Sequence, residues 1–457
     1  MIGGTMRDEE SGVAGRLVRD ALAAGPFGGQ TLAQARRCLL DYLSCAFEAL
    51  PLPWSEQAAA LAAPAPDAPG AHLVGRAGAW RPGDAAFANA VAGHGLVRED
   101  MHAGSVAHLG VVVWPTVLAL AEQYPVTGAQ LLQAAIVGYE VGARLGRAVM
   151  SPPLARLFRP TGLVGPFAAA VAGARIAGLD EIRARHAFAL AGNCCAGLNQ
   201  WAHTGGSEMY FHPGFAVRNA LACLDLARAG AQASASILEG EAGFFQAYAR
   251  APLDADIVLF DGGRAEIGAV FNKPVPACNF AQSPCQAALR AVRQAGGRRI
   301  EAVRIETTHA AVRYPGCDAT GPFQHALQAK MSIPFGVAAT LVRGAIAEDN
   351  YRRLDDPGIA RLIAATTLRA DDGYSAAFPA RQGARVTLLL DDGASVDAAL
   401  DDVVAADEAL IRERFRQAAT VAVGAAAAAR IEALVDRYEQ APDAAALPRL
   451  CAAPAAA

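Results

Sequence analysis

The chain has 457 residues, of which 53% are hydrophobic and 18% are charged, and its formal net charge is −4 at pH 7. The length predicts two domains, or at most three, and the composition excludes a disordered chain. The weak negative charge leaves no basic face for nucleic acid, so we expect no nucleic-acid partner. No signal peptide opens the sequence and no stretch is apolar enough to span a bilayer, so we expect a cytoplasmic protein without membrane contact.

The first half of the chain consists of Ala- and Leu-rich segments in which apolar residues recur at spacings of three and four, a period that predicts helices. Gly, Pro, Thr or Asp separate these segments. They are TLAQARRCLLDYLSCAFEAL, DAAFANAVAGHGL, WPTVLALAEQY, TGAQLLQAAIVGYEVGARLGRAV, GPFAAAVAGARIAGL, DEIRARHAFALAGNCCAGL and GFAVRNALACLDLARAG. The small side chains on nearly every face predict closely packed helices.

The pattern changes after about residue 268, where RRIEAVRIETT alternates as a strand does and ARVTLLLDDGASVDAAL indicates two strands joined by an Asp-Gly turn. Between them, SIPFGVAATLVRGAI predicts a helix with proline in its first turn. The tail returns to a helical pattern. We therefore predict a mainly α protein, in which an all-α helical domain of residues 12–267 plus 404–453 is interrupted by an α+β domain of residues 268–403.

The cysteines and lysines are unusual in number. Nine cysteines with irregular spacing and no CxxC pair argue against a disulfide scaffold or a zinc ribbon, so we expect buried reduced thiols. An iron–sulfur centre on Cys278, Cys285 and Cys317 is the alternative. Of the 40 basic residues only Lys273 and Lys330 are lysines. Either they mark places where a planar guanidinium does not fit, or they are retained by chance.

The stretch GHGLVREDMHAGSVAHLG, residues 93–110, concentrates titratable groups between two apolar runs. It holds three of the nine histidines and the pair Glu99 and Asp100. Neither HExxH nor a facial-triad spacing occurs there, so the stretch does not predict a metal site. We interpret it as a catalytic loop that flanking helices hold in place.

Several stretches in their order along the chain resemble the MmgE/PrpD family: this loop, then RPTGLVGPFAAAVAGARIAGLD, FHPGFAVRNAL, ILEGEAGFF, KPVPACNF and SIPFGVA. The resemblance covers nearly the whole chain. It implies a large helical domain with a smaller lid domain, a homodimer, an active site in the cleft between the domains, and no metal or organic cofactor. Family members include 2-methylcitrate dehydratases, cis-aconitate decarboxylases and iminodisuccinate epimerases.

The chain departs from the family pattern at polar positions of the site. The polar positions that change are Val97, Met101, Arg159, Met209 and Gln282, with Arg159 in place of a histidine and Met209 in place of a lysine. In addition, Lys330 stands in place of a glutamine and Leu109 in place of a proline. They leave the fold inference intact and put the substrate in doubt. The exchange of histidine for Arg159 favours a more anionic substrate or a reaction that needs one base fewer.

The family's reactions share removal or delivery of a proton next to a carboxylate, which requires a base poised near neutral pH and cations for the carboxylate. From the resemblance and from residue chemistry we expect four catalytic residues, His108 as acid or base, His102, Asp100 and Tyr139. We expect four substrate-binding residues, Lys273, Arg159, His203 and His212. For each of them a structural role is the alternative.

The resulting hypothesis is a cofactor-independent lyase of the dehydratase type that acts on a small di- or tricarboxylate similar to 2-methylcitrate. An epimerase or a decarboxylase on the same scaffold remains open. So does a degenerate member that binds carboxylates without catalysis.

Overall fold

The computed structural model describes residues 12–65, 69–253 and 256–453. The expectation about a signal peptide concerns residues 1–11, which lie outside the described residues. The first half of the chain forms helices as predicted. They are α1 Val13–Ala23, α2 Gly29–Glu48, α3 Pro53–Leu61, α4 Pro82–His94, α5 Gly110–Ala121, α6 Gly128–Val149, α7 Pro152–Leu157, α8 Pro160–Ile176, α9 Glu181–Gly192, α10 Trp201–Thr204, α11 Glu208–Arg228 and α12 Phe244–Ala249.

Helices α4, α5, α6, α8 and α11 pack against one another and form the centre of the molecule. Small residues allow this close approach. A Cβ atom on Gly142 of α6 would lie 2.6 Å from Leu109 and 3.0 Å from Ala168 of α8. Because real Cβ atoms do not tolerate 2.6 Å contacts, a larger residue at position 142 would displace the Leu109 side chain. This packing fixes Leu109, and with it the end of the loop that precedes α5.

The second part of the chain contains a four-stranded sheet of β3 Ile300–Thr307, β4 Thr366–Ala370, β5 Ala384–Leu390 and β6 Ser395–Leu400, in the order β4-β3-β5-β6. Strands β3 and β4 are parallel, whereas β5 is antiparallel to both β3 and β6. The prediction of β3 and of the β5–β6 hairpin is confirmed; β4 was not predicted. The helices here are α13 Gln282–Ala295, α14 His309–Arg313, α15 Ala326–Met331, α16 Ile333–Arg343, α17 Pro357–Ala364 and α18 Asp372–Ala377. Helix α13 packs on β5 and β6.

The C-terminal helices α19 Glu408–Val423, α20 Ala425–Asp436 and α21 Ala446–Cys451 return to the first half of the chain. Helix α19 packs along α2, where the rings of Phe47 and Phe415 lie 6.0 Å apart, and α21 contacts α5. The mainly helical fold is thereby confirmed. The division into residues 12–267 plus 404–453 and 268–403 stays a prediction.

Two short strands join the titratable loop to the second part of the chain. Strand β1, Met101–His102, pairs antiparallel with β2, Val270–Phe271. The pairing aligns Met101 with Phe271, so it fixes the loop between α4 and α5 against the segment that leads into α13. Among the helices that the structure describes, none is both long and apolar enough to cross a membrane.

Candidate active site

Two histidines of the titratable loop share one glutamate. Helix α4 ends at His94, and His108 lies two residues before α5. The Nδ1 atoms of His94 and His108 lie 2.6 and 2.9 Å from Oε1 of Glu99, and all three side chains are buried. Nδ1 of His108 also lies 3.0 Å from the Asp100 carbonyl oxygen. Because a carbonyl oxygen only accepts, Nδ1 carries the proton in the neutral ring and Nε2 keeps a free lone pair.

Burial sets the protonation of these groups. It lowers the pKa of His108 to about 3 and lowers the pKa of His94 as well, and Glu99 only partly opposes the shift. Burial raises the pKa of Glu99, yet its attraction to the two imidazoles and their hydrogen bonds hold that pKa well below its usual range. At neutral pH the site therefore holds one carboxylate between two neutral imidazoles.

Arg159 is a buried cation without an acidic partner. It precedes α8, its Nη2 lies 3.4 Å from Nε2 of His94, and its Nε has no hydrogen-bond partner. No carboxylate of the described residues forms an ion pair with it. A buried charge is costly unless it is paired. The guanidinium is therefore prepared for an anion from outside the chain.

A small cavity of about 10 Å³, room for one water molecule, lies beside these groups. One wall comes from the helical half and the other from the second part of the chain. The lining residues are Val97, Met101, Val106, His108, Arg159, Cys278, Asn279, Phe280, Tyr314 and Met331. Two further lining groups are buried without a hydrogen-bond partner, the Tyr314 hydroxyl and Oδ1 of Asn279. Unsatisfied polar atoms thus converge on this cavity from both walls.

We call His94, Glu99, His108 and Arg159 the cavity cluster. Lys273 lies next to it but does not line the cavity. Its ammonium donates to the carbonyl oxygen of Val97, and burial lowers its pKa to about 8, partly opposed by Glu99. Lys330 donates to the preceding carbonyl, that of Leu96, at 2.8 Å. Both lysines are fully buried, and together they hold the turn at Val97, whose φ of 57° is in the left-handed region.

Asp100 and Tyr139, two expected catalytic residues, lie behind the cavity rather than on its wall. The Tyr139 hydroxyl donates to Asp100 and accepts from Nε1 of Trp114 at 2.9 Å. The second oxygen of Asp100 accepts from the backbone N–H of Gly110 at 3.1 Å. Burial raises the pKa of Asp100 to about 7. The geometry gives Asp100 a positioning role, because its side chain is anchored by Tyr139 and Gly110 while its backbone carbonyl oxygen accepts from Nδ1 of His108.

His102 points away from the cavity into a second cluster. Its Nε2 lies 2.9 Å from Glu266, and its Nδ1 lies 2.8 Å from the Ser105 hydroxyl. Glu266 also pairs with Arg144 at 3.1 Å and Arg147 at 3.2 Å. We call His102, Glu266, Arg144 and Arg147 the Glu266 cluster.

The last two expected substrate-binding residues do not reach the cavity either. His203 is exposed at the surface. His212 is buried in α11, where burial and then the charge of nearby Arg159 lower its pKa to about 3. Its Nδ1 has no hydrogen-bond partner. It therefore lies beside Arg159 without reaching the cavity.

Comparison with known proteins agrees with this architecture. The MmgE/PrpD N-terminal domain matches residues 22–254 and the MmgE/PrpD C-terminal domain matches residues 275–440. The chain belongs to the MmgE/PrpD family. The expected family is thereby confirmed.

Relatives of known name are similar to part of the chain. Cis-aconitate decarboxylase of Aspergillus terreus is 31% identical over 245 residues, which cover 52% of this chain and 50% of the relative. Cis-aconitate decarboxylase of Homo sapiens is 32% identical over 170 residues, which cover 36% of this chain and 35% of the relative. The chain thus spans half the length or less of the curated relatives it matches.

The structure shows what the departures from the MmgE/PrpD pattern do. Val97 and Met101 give the cavity an apolar wall. The sulfur of Met209 lies 2.8 Å from Nε2 of His94. Gln282 binds the segment before α13, donating to the carbonyl oxygens of Val275, Ala277 and Cys278 at 3.0 to 3.1 Å. Arg159 adds a charge at the cavity wall, and Lys330 adds one at the turn at Val97, where it pairs with Glu348 at 2.7 Å.

Sequence reasoning missed His94, Asn279 and Tyr314. His94 had a signal, because it opens the same family-like loop and precedes Glu99 by five residues. Asn279 lies within KPVPACNF, but nothing in the sequence marks Tyr314. Among the described residues no group of three or more His, Cys, Asp or Glu is placed to hold a metal ion. Cys278 and Cys317 lie with their sulfurs 3.6 Å apart, and all nine cysteines are free thiols.

Proposed function

We propose that this chain is a cofactor-independent lyase that moves a proton next to a carboxylate of a small di- or tricarboxylate. One observation carries the proposal. The buried guanidinium of Arg159, without an acidic partner among the described residues, lines the same cavity as the neutral imidazole of His108. An anion site beside a proton acceptor is what this chemistry requires.

In the proposed site Arg159 binds one substrate carboxylate, in the bidentate way that a guanidinium allows. The Tyr314 hydroxyl and the Asn279 side chain supply further hydrogen bonds. Nε2 of His108 takes or returns the proton. Glu99 accepts from Nδ1 and stabilises the imidazolium that forms, as a carboxylate does for a catalytic histidine.

Decarboxylation is the first candidate reaction, because the named relatives are cis-aconitate decarboxylases. Loss of CO₂ leaves an electron pair on carbon, and one proton must then be delivered there. A single proton-transfer residue, His108, suffices for this step. The bound anion raises the pKa of the imidazole and so favours the protonated form that delivers the proton.

Dehydration, the reaction first inferred from the sequence, is the second candidate. It requires a base for the C–H proton and an acid for the leaving hydroxyl. His108 and the Tyr314 hydroxyl, both on the cavity wall, suit these two roles. Epimerisation is less well supported, because it requires two bases on opposite faces and Nε2 of His94 is occupied by Arg159 and Met209.

The cavity of about 10 Å³ is smaller than any tricarboxylate. Substrate entry therefore requires the wall that carries Asn279, Phe280 and Tyr314 to move away from the wall that carries Val97 and His108. The two walls belong to different parts of the chain, so such a movement must loosen the hydrogen bonds by which Lys273 and Lys330 hold the turn at Val97.

The test is to incubate the purified protein separately with cis-aconitate, 2-methylcitrate and iminodisuccinate and to follow the products by NMR. We expect turnover of at least one substrate and its loss in His108→Gln. His102→Gln, in the Glu266 cluster, is the matched control and should retain activity. Carboxylate binding that depends on Arg159 without any turnover would instead establish the non-catalytic alternative. Absence of both binding and turnover would contradict the proposal.

A further inference from the structure

A large cleft adjoins the small polar cavity. Its volume is about 580 Å³, within the range of about 300–1,000 Å³ typical of sites that enclose a whole small ligand. Its wall is mostly apolar. Its lining side chains include Met150, Pro153, Ala310 and Phe378.

The cleft adjoins the cavity, because three side chains form part of the wall of each. Val106, Phe280 and Tyr314 line both. The ring of Phe280 lies 5.3 Å from that of Tyr314 and 5.9 Å from that of Phe378. An unbroken aromatic row thus leads from the hydroxyl beside Arg159 into the cleft. A ligand whose carboxylate binds Arg159 extends along this row.

The two spaces differ in chemistry. The cavity presents a cation and unsatisfied polar atoms, whereas the cleft presents aliphatic and aromatic surface. A substrate of carboxylates alone would leave that apolar surface uncovered, so its burial would contribute nothing to binding. Exposed Arg156 and Arg313 line the cleft as well and attract anions towards it.

From this juxtaposition we propose that the substrate carries an apolar arm, an alkyl or aryl substituent on its carboxylate-bearing skeleton, and that the cleft binds this arm. The inference rests on the proposed function for the carboxylate end of the substrate. It deepens that function, because it names a class of substrate larger than an unsubstituted tricarboxylate.

Binding of dicarboxylates that cannot react tests the inference without reference to turnover. The probes are succinate, 2-butylsuccinate and 2-octylsuccinate, titrated calorimetrically into the full-length protein. We expect the Kd to fall about three- to fourfold for each of the first added methylenes that the cleft buries. Kd values that stay equal or rise with chain length would overturn the inference.

Variants of the wall locate the arm. Ala310→Trp fills the cleft and should abolish the gain from chain length, whereas Ala429→Trp, on the exposed face of α20, should retain it. Met150→Ala removes wall surface without adding bulk and should reduce the gain. An unchanged gain in both Ala310→Trp and Met150→Ala would place the arm elsewhere and overturn the inference.

Arg159→Met separates this inference from the proposed function. If Arg159→Met binds all three probes more weakly than the wild type does, and the wild type shows no gain from chain length, the proposed function stands and the apolar arm is refuted. If Kd falls with chain length but Arg159→Met binds each probe as tightly as the wild type, the result would support the cleft and contradict the proposed carboxylate site. A dimer that Ala310→Trp converts into monomers would show that a second copy covers the cleft, which also overturns the inference.

Discussion

The cavity cluster and the Glu266 cluster are built from the same residue types, histidine, glutamate and arginine. The cavity cluster is buried throughout, whereas in the Glu266 cluster His102 and Glu266 are buried and Arg147 is half-exposed. In the Glu266 cluster the single carboxylate contacts His102, Arg144 and Arg147, so every charge has an opposite partner. In the cavity cluster Glu99 is used by two imidazoles, and the guanidinium of Arg159 has no carboxylate.

The difference supplies a criterion by which the proposed site can be told from a structural cluster. Neither residue type nor position in the sequence separates the clusters, since both contain histidine, glutamate and arginine, and His102 and His108 come from the same loop. The balance of partners does, because a chain that buries an unpaired cation sacrifices stability that only a ligand restores. Substitutions in the two clusters test whether a missing partner of opposite charge distinguishes the proposed site from the Glu266 cluster.

The largest effect is expected from the two histidines. His108→Gln should lower kcat/KM by about 10²- to 10⁴-fold, the usual contribution of a general acid–base residue. His102→Gln should change kcat/KM by no more than about threefold, because its ring is hydrogen-bonded to Glu266 and Ser105 and does not line the cavity. Steady-state kinetics on whichever substrate is turned over measures both. Equal losses in the two variants would remove the distinction between the clusters.

The arginines give the next effect. Arg159→Met should lower kcat/KM by about 10²- to 10³-fold, because it removes the positive charge that stabilises the reacting carboxylate. Arg147→Met is the matched control, since Arg147 is half-exposed and Glu266 retains Arg144. The same assay applies. Full activity of Arg159→Met would mean that another cation binds the substrate, with Lys273 the nearest candidate.

The free energy of unfolding should respond more to substitution in the Glu266 cluster than to substitution in the cavity cluster, the reverse of the order expected for activity. Glu266→Gln should lower the free energy of unfolding by about 2 kcal/mol, because it leaves buried His102 without its anion. The arginines add less to this loss, since Arg144 keeps its ion pair with Glu140 and Arg147 is half-exposed. Arg159→Met should leave that free energy unchanged or raise it, since the arginine has no acidic partner to lose. Urea unfolding followed by circular dichroism compares the variants. A larger loss for Arg159→Met would show that the cavity cluster is complete without a ligand.

The smallest effect concerns pH. The pKa of His108 falls from 6.5 to about 3 on folding. As pH drops below 6.5 the unfolded chain therefore binds a proton that the folded chain does not, and stability falls. From about pH 7.5 to about pH 5.5 this histidine should account for a loss of about 1.4 kcal/mol. His108→Gln should show a shallower pH dependence in urea unfolding; an equally steep dependence would indicate that the folded imidazole takes up the proton.

Periodicity was enough to predict the helices, β3 and the β5–β6 hairpin, because those elements repeat every few residues. Strand β4 was missed because only its parallel pairing with β3, more than 50 residues earlier, stabilises it. The same reason explains why the sequence placed His102 in the catalytic site rather than in the Glu266 cluster. Its partner Glu266 lies 164 residues away, and no local pattern predicts that contact.

The site was predictable in part. The loop and the exchange to Arg159 were visible in the sequence, and the structure places His108 and Arg159 on one cavity wall. The sharing of Glu99 by His94 and His108 was not visible, because it depends on the left-handed turn at Val97. That turn is held by two lysines that follow it by 176 and 234 residues.

Those two lysines have a practical consequence. The chain contains no others, and both ammonium groups are buried against the same turn. Reagents that acylate primary amines therefore find no lysine side chain as a target on the folded surface. Acylation of Lys273 or Lys330, read by peptide mass spectrometry, would report the moments at which the two walls of the cavity separate.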